Sequence, residues 1–102
     1  MKNEKFALIT QSIENDSSQF MNFLKARFPM FHNSNFFAKD FQYGIKRFFE
    51  SKDVEINAFE NEQLTNKLST FFESKGIFIK MNSIGWKINY PQFITTTPGD
   101  PL

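Results

Sequence analysis

The chain has 102 residues, with 12 Lys and Arg against 11 Asp and Glu for a formal charge of +1, one His and no Cys. That length suits one compact domain able to bury an ordinary core without staples. The missing thiols exclude disulfides and thiolate metal sites, and a lone imidazole gives no reason to expect a metal or any other cofactor. The near-balanced charge lacks the basic excess typical of nucleic-acid binders. Phe is the outlying residue, with 15 copies. It fits the codon bias of an AT-rich genome and supplies the core area that Leu and Val provide elsewhere.

Residues 2–15 place Phe6, Ile9 and Ile13 at helical spacing, predicting a first helix that is weakly capped and the most mobile element. Its apolar run Phe6-Ala7-Leu8-Ile9 is far below the roughly 20 residues that span a bilayer and too short for a secretory signal. A soluble, cytoplasmic protein without membrane contact is therefore expected. Asn15-Asp16-Ser17-Ser18 offers N-cap candidates for a second helix over about 17–28, with Phe20, Phe23, Leu24 and Phe28 inward and Pro29 as its stop.

A third helix is predicted over about 34–52, with a core stripe of Phe37, Phe41, Ile45 and Phe48. Its opposite face carries Lys39, Lys46, Arg47 and Glu50 together with Phe36 and Tyr43, so two aromatics stand among basic residues. Residues 53–57 alternate and read as a small strand joining the C-terminal hairpin, with Asn57 capping a short turn or helix. The fourth helix, about 60–75, turns Phe59, Leu64, Leu68, Phe71 and Phe72 inward and Asn61, Glu62, Thr65, Asn66, Ser69 and Thr70 outward. Gly76 is its natural stop.

Residues 77–90 then alternate as a hairpin around the turn Asn82-Ser83-Ile84-Gly85. The predicted register sets Met81 across from Trp86, Ile79 from Ile88 and Ile77 from Tyr90, six apolar side chains on one buried face. It also sets Lys80 opposite Lys87 on the outer face, where a phosphate would relieve their repulsion. The predicted class is mainly α with a small C-terminal β-hairpin, an α+β chain. It divides into an N-terminal helix at 1–15, a single domain at 16–93 and an unstructured tail at 94–102.

No catalytic signature is present. A Cys nucleophile is impossible, and neither a Gly-x-Ser-x-Gly turn nor a phosphate loop occurs, so an enzyme is not expected. His32 beside its turn reads as locally hydrogen-bonded or solvated. The helix–Gly–hairpin order, with Trp86 in the second strand, resembles the winged-helix superfamily over about residues 34–93, and more distantly the winged-helix tails of viral and plasmid primase-helicases. That resemblance implies DNA binding, with Thr65, Asn66 and Ser69 facing bases and Lys80 and Lys87 contacting phosphates. Lys39, Lys46 and Arg47 on the third helix would add to such a surface.

Charge is uneven along the chain. Residues 17–52 hold six cations and two carboxylates, whereas residues 53–75 hold two cations and five carboxylates. An acidic helix start is poorly suited to a phosphate backbone, and leftover aromatics are suited to a protein contact. The second expectation is therefore a protein-interaction module, a homodimer or inhibitor-type accessory protein, using Phe36 and Tyr43. DNA and a protein partner both stay open at this point.

Overall fold

Apolar spacing dictates the helices, and local hydrogen bonds set their ends. The computed structural model describes residues 2–94, so most of the expected tail, 95–102, lies outside the described residues. α1 (Lys2–Asn15) buries Ile9 and Ile13 and leaves Leu8 exposed. A single residue, Asp16, separates it from α2 (Ser17–Lys25), which buries Phe20, Met21 and Leu24. The junction is tied by Asp16 N–H donating to the Ser12 carbonyl at 2.8 Å and the Ser17 hydroxyl donating to the Ile13 carbonyl at 3.1 Å.

α2 stops before the predicted limit of 28. Its last lysine bends forward: Lys25 Nζ donates to the Met30 carbonyl at 2.7 Å and lies over the rings of Phe31 and Phe93, at 4.3 and 4.8 Å from their centres. The following connector leads into a strand, β1 (Asn35–Phe37), and helix α3 (Ala38–Ser51) begins only after it. The prediction of one helix from 34 is thus corrected. In a strand, neighbouring side chains point to opposite faces, so Phe36 goes into the core while Phe37 stays 49% exposed. The first amide of α3, Ala38 N–H, is satisfied by the Ile84 carbonyl at 2.8 Å, so the hairpin turn caps this helix.

Residues 53–57 are not a strand of the sheet. Asp53 sits at φ 63°, and Val54 N–H turns back to the Phe49 carbonyl at 2.9 Å. The alternation noted in the sequence buries Val54 and Ile56 without pairing them. Asn57 instead caps α4 (Ala58–Ser74) directly, through a reciprocal box: its side chain accepts from Glu60 N–H at 2.8 Å and its own N–H donates to the Glu60 carboxylate at 2.9 Å. At the far end Gly76, at φ 72°, lets Ile77 N–H reach the Phe72 carbonyl at 3.0 Å and closes the helix.

β2 (Phe78–Asn82) and β3 (Gly85–Ile88) form the hairpin, and β1 adds to its second strand, giving an antiparallel sheet of order β1-β3-β2. The register differs by one residue from the expectation. Phe78 faces Ile88, Ile79 faces Lys87 and Lys80 faces Trp86, and a bulge before Asn82 restores the pairing of Asn82 with Gly85. The slip exchanges the faces of β2. Phe78 enters the core, in ring contact with Phe36, Phe41, Phe72 and Trp86, while Ile79 and Met81 are left 43% and 56% exposed. A ring packed among four others removes more apolar area from water than an isoleucine can, so the chain takes the bulge.

The rings of Phe20, Phe41, Phe48, Phe72, Phe78 and Trp86 form the centre of one continuous core. A 3-10 turn, Pro91–Phe93, buries Phe93 beneath it, and the His32 Nδ1 accepts from Tyr90 N–H at 3.1 Å, pinning this segment to the β1 approach.

Candidate interaction surface

The outward face of α4 is built from its helical period. Leu64, Thr65, Leu68 and Phe72 are buried, which leaves Phe59, Glu62, Gln63, Asn66 and Thr70 facing solvent. Thr65 is therefore buried rather than outward-facing as expected. At 8% exposure it donates from its hydroxyl to the Asn61 carbonyl at 2.8 Å, while Asn61 donates from its amide to the Gln42 carbonyl at 3.0 Å. Both polar side chains serve the α3–α4 packing, as buried polar groups must find partners. Ser69 is half-buried and donates to the Asn66 carbonyl at 3.2 Å, leaving Asn66 the one fully exposed member of the expected trio.

Lys80 and Lys87 are not brought together. Lys80 pairs with Trp86, so Lys87, the next residue along β3, belongs to the other sheet face and pairs with Ile79 and Asn35. One phosphate shared across the strands is geometrically excluded by this register.

On α3, Lys39, Tyr43, Lys46 and Arg47 do share one exposed stripe, with Tyr43 53% exposed. Arg47 is shared between Glu50 at 3.6 Å and the Tyr43 ring, whose centre is 6.0 Å from its guanidinium carbon. Phe36, the second expected contact aromatic, is only 2% exposed and packs on Phe28, Phe41 and Phe78, so that assignment is corrected. A continuous helix would set Phe36 on the Tyr43 face, but Phe36 lies in β1 and Tyr43 in α3.

The surface that sequence reasoning missed is the outer side of the hairpin. Phe37, Ile79, Met81 and Ile84 are each 43% to 60% exposed. A groove of about 200 Å³ lies between Phe37 and Met81 with Gly85 in its lining, and a second of about 370 Å³ is lined by Phe37, Ala38, Lys39, Ser83 and Ile84. Neither lining includes a carboxylate. Lys39 lines the larger groove and Lys87 lies on β3 opposite Asn35, and neither forms an ion pair among the described residues. One signal was available in advance: Ile84 occupies a tight-turn position where Gly, Asn, Asp or Ser prevail, so an apolar residue there invites a functional question. The exposed Phe59, at 68%, was likewise expected to face inward. It precedes the buried stripe by a turn, and none of the described elements covers it.

A cleft of about 420 Å³ between α1 and α4 has Gln11, Glu14, Gln63 and Lys67 in its lining, while the Thr10 hydroxyl there donates to the Phe6 carbonyl at 2.9 Å. Comparisons with protein-family models, with curated proteins and with solved structures found no match. Among the described residues no helix is long and apolar enough to cross a membrane.

Proposed function

We infer that the protein is a non-enzymatic accessory module of winged-helix-like build that docks a protein partner on the outer face of its hairpin. The build is supported by a helix pair leading through Gly76 into a hairpin that gains a third strand from the segment just before α3. The docking role is carried by one observation, the exposure of Phe37, Ile79, Met81 and Ile84 on the hairpin and the strand edge beside it, with Phe37, Met81 and Ile84 lining grooves. Exposed apolar patches on small proteins usually mark interaction sites, and flexible Met and branched aliphatic side chains adapt to protein side chains.

A DNA-binding reading is favoured by a separate observation, the Lys39–Tyr43–Lys46–Arg47 stripe on α3. It is weakened at α4, where Glu62 and Phe59 occupy the face that would meet the groove and Thr65 is withdrawn. The two readings separate in one comparison. The wild-type chain and a Phe37→Ser/Ile84→Ser variant are each used as bait in a cell extract and titrated in parallel against labelled duplex and single-stranded DNA at low salt. Partners retained by the wild type and lost by the variant, with no DNA signal, are expected. An unchanged set of retained proteins, together with salt-dependent DNA affinity lost on Lys46→Glu/Arg47→Glu, would establish the DNA reading instead.

A further inference from the structure

We propose that one occupant of the hairpin grooves is the start of α4 from a second copy of this chain, with Phe59 as the inserted side chain. The inference rests on the reading of the hairpin as a protein-docking face. The two surfaces are complementary in kind. The hairpin presents two grooves with no carboxylate in either lining, the larger one mostly apolar and holding Lys39 in its wall. The start of α4 presents the reverse: Phe59 is 68% exposed, more than any other large apolar side chain described, and exposed carboxylates lie close to it at Glu55 and Glu62.

Glu62 is three residues beyond Phe59, so the two lie on one side of the helix. Aromatic insertion places a carboxylate beside a lysine at the rim, the usual anatomy of a small interface with an apolar centre and charged edge. Within a single chain the contact is not made, since Ile84 and Phe59 are both more than half exposed. It has to be made between chains. A knob on one surface and a hole on another generate a head-to-tail contact that closes into a ring or continues as a chain. Phe37, Met81 and Ile84 in the groove walls and one knob make a small interface, well below the roughly 800 Å² per partner of a standard complex, so a weak, concentration-dependent association is expected.

Sedimentation velocity over a concentration series tests this with four samples. The wild type is expected to associate reversibly, and Phe59→Ser and Ile84→Ser alone are each expected to weaken association by about tenfold or more. Both sites are on the surface, so the variants are expected to fold, which circular dichroism checks. Mixing the two variants restores one intact knob and one intact hole, so an equimolar mixture is expected to form a heterodimer with wild-type affinity. A wild type that stays monomeric throughout overturns the inference, yet leaves the docking face itself to stand or fall by the bait comparison. Association that survives Phe59→Ser, or a mixture that fails to pair, also overturns it, by showing that another surface of the second copy is used.

Discussion

The indole N–H of Trp86 donates to the Glu73 carboxylate at 2.7 Å, joining the hairpin to the last turn of α4. Trp86 is 7% exposed, so its donor has little access to water if the partner is lost. Glu73→Ala is expected to destabilise the fold by about 1–3 kcal/mol, the cost of a buried unsatisfied donor, and Glu73→Gln by less because an acceptor remains. Urea unfolding followed by Trp86 fluorescence measures both. Equal losses for the two variants would show that the hydrogen bond is not the source.

Gly85 and Gly76 are required for different reasons, and the difference is measurable. A Cβ on Gly85 would lie 2.6 Å from the Phe36 carbonyl oxygen, a backbone atom that can retreat only by parting β1 from β3. Gly85→Ala should therefore cost about 2 kcal/mol or more and expose Phe36. Gly76 has open space around it but a φ of 72°, so Gly76→Ala should cost about 1 kcal/mol through backbone strain alone. Hydrogen exchange at the β1 amides separates the cases: faster in Gly85→Ala, unchanged in Gly76→Ala.

The sequence carried the helix count, the single core and the place of the hairpin turn, because these depend on period and on local stop signals such as Pro29 and Gly76. It did not carry the third strand. Phe36-Phe37 fits a helical stripe and a strand equally well, and only the pairing of residues 35–37 with 85–87, fifty residues away, decides between them. The hairpin register failed for a related reason. Ile79, Met81, Trp86 and Ile88 alternate cleanly, and so does Phe78, and which set is buried depends on the rings of Phe41 and Phe72 waiting on α3 and α4. The basic stripe on α3 was legible from the helical period alone. The apolar grooves were not, since they arise from the strand and the bulge that the sequence left ambiguous.

Asn61 and Thr65 were expected on an exposed face and instead join α4 to α3 through the Gln42 carbonyl. Asn61→Ala removes the partner of that carbonyl and one acceptor of the Thr65 hydroxyl. A loss of about 1–2 kcal/mol in urea is expected. Association of the chain with itself, with a protein partner or with DNA, measured well below the unfolding transition, should be unchanged. A variant of wild-type stability and altered binding would return these residues to the contact face.

Lys80 and Lys87 provide the sharpest test of the register. Had they stood opposite one another on one face, each would repel the other, and removing either would relieve the same cost. Their removal would then be non-additive, and a bound anion would stabilise the hairpin by bridging them. In the observed pairing Lys80 lies across from Trp86 and Lys87 from Ile79, on opposite faces. Lys80→Gln and Lys87→Gln should therefore change stability independently, with a coupling below about 0.5 kcal/mol in a double-mutant cycle. The cycle is run at low ionic strength, where any repulsion is least screened. Added sulfate should protect the wild type and the double variant alike. A coupling clearly above that bound, abolished by salt, would reinstate the unslipped register and with it the phosphate site between the strands.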